Sequence, residues 1–90
     1  MARCCVKTRV TGHVQGVGFR FHTAHQGLVL DLTGYAKNLA DGSVEVVACG
    51  EPENIDKLIE WLQHGPKMAT VEGLTTQTLA WQHHDGFKMN

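Results

Sequence analysis

Ninety residues at 42% apolar content suit one domain, residues 1–90, whose core buries about 60–65% of the unfolded surface. The longest unbroken apolar run, Val46–Cys49, is four residues, against the roughly 20 that a membrane-crossing helix needs, and no apolar segment follows Arg3 and Lys7 as a secretory signal requires. Eight Lys/Arg against nine Asp/Glu leave a net charge of −1 with no basic run, so nonspecific nucleic-acid binding has little electrostatic support. A soluble, cytoplasmic protein is expected. The charge is uneven: residues 1–40 carry five bases against Asp31 alone, a balance of +4, and residues 41–90 carry three bases against eight acids, a balance of −5. A small anionic ligand is therefore sought in the N-terminal half.

From Arg3 to Thr11, Cys4, Val6, Thr8 and Val10 alternate with Arg3, Cys5, Lys7 and Arg9, the period of a half-buried strand. A loop punctuated by Gly12, Gly16 and Gly18 follows. Phe19 to Leu32 reads as a helix with Phe21, Ala24, Leu28 and Leu32 on its apolar face, although Gly27 costs it about 1 kcal/mol relative to Ala. Residues 33–40 and 43–49 are strands around Asp41-Gly42, a strong hairpin signal. A second helix opens on Pro52 with Glu53 and Asp56 at its positive end, buries Ile55, Leu58, Ile59 and Leu62, and stops at Gly65-Pro66. Residues 70–81 form a strand with a bulge near Gly73, and Phe87–Met89 add a short last one. No internal repeat, linker or low-complexity segment interrupts the chain.

The order β-α-β-β-α-β is that of a ferredoxin-like α/β sandwich, an α+β fold with an antiparallel sheet and two helices on one face. In it the first two strands are parallel, with the third between them and antiparallel to both. They end on the same sheet edge, so the glycine loop, the start of the first helix and Asn38 converge.

A strand, a glycine turn and a helix N-terminus aim backbone N–H groups and a positive dipole end at one spot. Arg20, in the first helical turn, adds a planar fork that matches phosphate oxygens, and it sits badly beside a helix N-terminus unless an anion joins it. The two familiar phosphate motifs do not fit. No Gly-Lys-Ser/Thr follows the loop, and the Gly16, Gly18 pattern has Phe21 where a dinucleotide fingerprint needs its third glycine. From these residues alone, an anion site and a plain glycine turn with a surface Arg both stay open. The three cysteines fit neither a zinc pattern nor a disulfide-dense scaffold. The six histidines, His22 with His25 and adjacent His83-His84 among them, offer no pair with a ligand context and are expected to be surface or structural residues.

Residues 10–20, VTGHVQGVGFR, and 34–50, GYAKNLADGSVEVVACG, resemble the two signature motifs of the acylphosphatase family. The resemblance covers essentially the whole chain. It implies an enzyme that hydrolyses carboxyl phosphates to a carboxylate and phosphate, with no metal, no cofactor and no phosphoenzyme. By motif position, Arg20 and the backbone N–H groups of Gln15, Gly16, Val17, Gly18, Phe19 and Arg20 bind the phosphoryl oxygens, and Asn38 orients the attacking water. The implied partner is a small-molecule acyl phosphate, with inorganic phosphate or sulfate as competing anions, no nucleic acid, no membrane and a monomeric protein. A non-catalytic anion-binding or protein-interaction domain of the same type is the alternative. A single-stranded RNA-binding module of this strand order stacks bases on aromatics of its central strands, and the first and third strands contain none.

Cys5 and Cys49 are assigned to the outer sheet face, because Val6, Val10, Val44 and Val46 take the core side. Setting Cys5 opposite Cys49 also sets Arg9 opposite Glu45, a favourable cross-strand charge pair. The thiols are then close enough to bridge on oxidation, which would add about 3–4 kcal/mol, whereas a reducing cytoplasm keeps them free. Cys4 points inward and stays free.

Overall fold

A computed structural model describes residues 3–90; Met1 and Ala2, the first two residues of the expected 1–90 domain, lie outside the described residues. The elements are β1 (Cys4–His13), α1 (Phe19–Val29), β2 (Thr33–Asn38), β3 (Val44–Gly50), α2 (Pro52–Leu62), β4 (Thr70–Leu79) and β5 (Phe87–Met89). They build one five-stranded sheet in the order β4-β1-β3-β2-β5. β3 lies between β1 and β2, antiparallel to both, and β4 is antiparallel to β1. β5 departs from the antiparallel sheet expected, because it runs parallel to β2 along the edge. Among the described residues no helix is long and apolar enough to cross a membrane.

β3 reads as a near-continuous apolar run because both of its faces are covered. Val44, Val46 and Ala48 join Val10, Ile55, Leu58 and Leu62 under the helices. Val47 and Cys49 join Cys5 on the opposite face, beneath Tyr35 and Leu79. The outer-face cysteines are thus fully buried rather than exposed. Their register is Cys5 opposite Cys49, their Sγ atoms are bonded in this structure, and Cys4 is free and half-buried. Tyr35 caps this cluster and donates to Glu45 at 2.7 Å. Burial first, and the Glu45 carboxylate second, push its hydroxyl pKa up to about 12. Arg9 faces Glu45 in the register, but its guanidinium pairs with Asp41, while Glu45 takes Tyr35 and, at 3.9 Å, Lys7. The expected Arg9–Glu45 charge pair is not made, because the hairpin turn brings a second carboxylate within reach.

α2 matches its apolar stripe: Ile55, Leu58 and Leu62 are buried, Ile59 is half-buried, and Pro52 opens the helix. α1 does not match. Its buried residues are Phe19, Thr23, Ala24 and Gly27, while Phe21 and Leu28 face solvent. Gly27 is the reason. A Cβ there would lie 2.3 Å from the Phe87 ring, so the helix docks through its smallest residue, and the ring contact offsets the glycine's helical cost. The helix also ends earlier than expected, at Val29. Asp31 turns left-handed (φ 58), with Leu32 N–H donating to Gly27 at 2.8 Å and Asp31 N–H to Leu28 at 3.1 Å. These are the two bonds of a Schellman ending, and the residue after the left-handed one, Leu32, is buried in the core. Glycine is the residue that adopts this conformation without strain. Asp31→Gly is therefore expected to stabilise the fold by about 0.5–1 kcal/mol, read as a higher urea midpoint at unchanged slope. An unmoved midpoint would refute that account.

β2 stops at Asn38 rather than Ala40. Leu39 N–H donates to the Ser43 carbonyl at 2.9 Å and closes the turn through Gly42. β4 ends at Leu79 rather than Trp81, and its register against β1 shifts between Thr11 and Gly12, leaving Glu72 as the extra residue beside Gly73.

Candidate active site

β1 delivers the chain to a loop whose two ends are anchored in the core by Val14 and Phe19, both fully buried. Between them Gly16 (φ 77) and Gly18 (φ 76) are left-handed, and nothing lies within 4 Å of a Cβ at Gly16. That glycine is required by backbone conformation, not by space. Gly18 caps α1 with no side-chain hydrogen bond, and the first turn holds no acid. The helix therefore begins with amides that no side chain serves and a dipole end that no carboxylate balances.

The loop is tied to the β2–β3 hairpin by one side chain. Gln15 Nε2 donates to the carbonyls of Leu39 and Ser43, each at 2.8 Å. Asp41 stiffens the same turn: it accepts from Ser43 N–H at 2.9 Å and pairs with Arg9. The Ser43 hydrogen bonds first, and Arg9 beside them, hold its carboxyl well below the usual carboxylate range. Asn38, immediately before this turn, thus has a fixed position relative to the loop.

Gly16, Gly18, Phe19, Arg20 and Asn38 line one cavity of about 250 Å³, together with Val14, Phe21 and Met89. No Asp or Glu lines it, so Arg20 is its fixed charge. Arg20 Nη1 donates to the Asn90 carbonyl at 2.7 Å, which steers the guanidinium and leaves its other N–H groups available. Asn38 Oδ1 is buried with no hydrogen-bond partner, a condition that among the described residues only Thr23 Oγ1 shares. Such an orphan acceptor costs about 1–3 kcal/mol.

Of the residues singled out in the sequence, Gln15 and Val17 send their side chains away from the cavity, so only their backbone can serve it. Gln15 turns to the hairpin and Val17 packs on the core. Phe21, Met89 and Asn90 were missed. Phe21 was assigned to the wrong helical face, and the other two reach the site only because β5 sets Met89 beside Ala36, which no local pattern signals. His22 packs edge-on against Phe21, ring centroids 5.4 Å apart. Among the described residues no group of three or more His, Cys, Asp or Glu stands together as a metal site.

The acylphosphatase family model matches residues 6–89. The chain is 55% identical over 89 residues to the acylphosphatase of Photobacterium profundum, covering 99% of each. It is 59% identical over 85 residues to that of Vibrio parahaemolyticus, covering 94% of each. Among solved structures, the acylphosphatase from Coxiella burnetii superposes with a TM-score of 0.94 at 39% identity, over 98% of this chain and 93% of that one.

Proposed function

The chain belongs to the acylphosphatase family, which makes it a hydrolase of acyl phosphates, and we propose that it works by water attack within the loop cavity. The phosphoryl oxygens lie on the backbone N–H groups of Gln15, Gly16, Val17, Gly18, Phe19 and Arg20 and on the Arg20 guanidinium. Asn38 Oδ1 accepts a hydrogen bond from the attacking water and fixes it in line. The water oxygen bonds to phosphorus, the P–O bond to the acyl group breaks, and the carboxylate departs with the bonding pair. The water's proton passes to a phosphate oxygen, since an amide cannot hold it.

So spare a site suffices for this chemistry. Phosphoryl transfer runs through a loose transition state that needs chiefly positioning and charge stabilisation. A carboxylate leaves well because its conjugate acid has a pKa near 4, so no general acid is required. The observation that carries the reading is the buried, unpartnered Asn38 Oδ1 in the same cavity as the loop and Arg20. The same reading has residues 1–90 acting as one monomeric unit in the cytoplasm, without metal, cofactor, nucleic acid or membrane.

The test is turnover of acetyl phosphate by the purified protein, with and without chelator. Hydrolysis that ignores chelator and is competed by inorganic phosphate or sulfate supports the reading. Phosphate binding without turnover would instead make this a non-catalytic anion-binding domain. Loss on chelation with recovery on adding a divalent metal would sink the metal-free mechanism.

Gln15 acts on this chemistry at one remove, by holding the loop against the residue after Asn38. Gln15→Leu removes both side-chain hydrogen bonds, although the Leu39 carbonyl keeps Gly42 N–H at 3.2 Å and the Ser43 carbonyl keeps Leu39 N–H at 2.9 Å. It is expected to destabilise the fold by about 1–2 kcal/mol. It should also lower kcat roughly 10-fold, because small misplacements of reacting groups are expensive. A stability loss with kcat intact would confine Gln15 to folding.

A further inference from the structure

A second cavity of about 260 Å³ opens between α1 and β5, lined by Phe21, Ala24, His25, Leu28, Phe87 and Met89. It shares Phe21 and Met89 with the cavity that holds Arg20 and Asn38. Three of its walls are apolar side chains that the fold leaves in water: Phe21 is 60% exposed, Leu28 57% and Met89 52%. Clustered exposed apolar surface of this kind marks a binding surface more often than chance. No Asp, Glu, Lys or Arg lines the groove, and His25 is its one titratable wall.

The direction of the groove gives it a role. β5 sets Met89 beside Ala36 and Phe87 beside Gly34, so the groove starts near the Asn38 end of β2 and recedes from it. Along α1 the seven-residue step from Phe21 to Leu28 covers about 10 Å. In an in-line displacement the leaving group departs on the side opposite the attacking nucleophile. With water held at Asn38, the acyl group leaves on the side away from it, and Phe21 and Met89, which line both cavities, connect the phosphoryl site with the groove.

We propose that this groove seats the acyl body of the substrate and that the enzyme selects apolar acyl groups of several carbons, with Leu28 a specificity-determining residue. The inference rests on the acyl phosphate reading above. It explains why α1 carries two apolar faces: Phe19, Ala24 and Gly27 serve the core, and Phe21 and Leu28 serve the substrate. It also explains the lack of charge in the groove, which offers nothing to a second carboxylate or phosphate on the acyl chain.

The experiment is kcat/KM for a homologous series of n-acyl phosphates, acetyl to hexanoyl, in the wild type and in Leu28→Asn. Each methylene seated in the groove is expected to raise wild-type kcat/KM by about 2- to 4-fold. Leu28→Asn should cut the hexanoyl-to-acetyl ratio at least about 5-fold, and its melting curve reports whether the variant is folded. A flat wild-type series with acetyl phosphate still hydrolysed overturns the groove and leaves the activity standing. A steep series that folded Leu28→Asn leaves unaltered overturns it too. A flat series with self-association abolished by the substitution gives this face to a second copy of the chain instead. Hydrolysis of none of the series refutes the catalytic reading itself.

Discussion

Arg20→Ala is expected to lower kcat/KM for acetyl phosphate by roughly 10³–10⁵-fold, the range found where an arginine stabilises charge on a transferring phosphoryl group. Arg20 is the cavity's fixed charge, and backbone amides alone are left once it is gone. The fold should survive, because the guanidinium is partly exposed and its one hydrogen bond is to the Asn90 carbonyl; the urea midpoint is the control. Arg20→Lys should recover only part of the rate, since an ammonium is a point charge without the planar fork. Inhibition by inorganic phosphate should weaken in both variants. A loss below about 10-fold in Arg20→Ala would mean that the loop amides carry the phosphoryl group unaided.

Asn38→Ala separates positioning from binding. Turnover should fall by roughly 10²-fold or more, while inhibition by inorganic phosphate changes little, because phosphate rests on the loop and Arg20. The variant should be no less stable than the wild type, and up to about 1 kcal/mol more so, since it removes a buried acceptor with no partner. A residue whose loss stabilises the fold while disabling the enzyme is held for function. Equal losses in turnover and phosphate affinity would make Asn38 a binding residue and reassign the water.

The convergence of the glycine loop with Asn38 was legible in the chain because it depends on strand order alone: two parallel strands end on one edge. α2 was legible because its apolar residues share one stripe. α1 misled because its apolar residues lie on two faces and the one that docks is Gly27, which carries no hydrophobic signal; its partner Phe87 is 60 residues away in sequence. Alternation put Cys5 and Cys49 on one face, and setting them opposite each other gave the observed register, although the Arg9–Glu45 pair offered for it is not made. Their burial did not follow, because it needs Tyr35 and Leu79 to close over them. Gln15 gave no hint of its strut, since its partners are main-chain carbonyls that any sequence supplies. The acyl groove was invisible for the same reason as β5: both exist only once the last strand lies against β2.

β5 is three residues long on the sheet's edge, anchored by Phe87 on Gly27, and beyond Met89 the Asn90 N–H is held by the Ala36 carbonyl at 2.8 Å. Opening free energies in a native protein range from near zero at such margins to the full unfolding value in central strands. Fraying at Met89 and Asn90 frees the Arg20 guanidinium and removes a wall shared by both cavities, while β4, β1, β3 and β2 stay paired. If the site needs this edge in place, catalytic competence is expected to depend on β5 staying paired. Mild denaturant should then open this edge first, so that amide exchange at Met89 and Asn90 accelerates and activity declines while the sheet still gives its native spectrum.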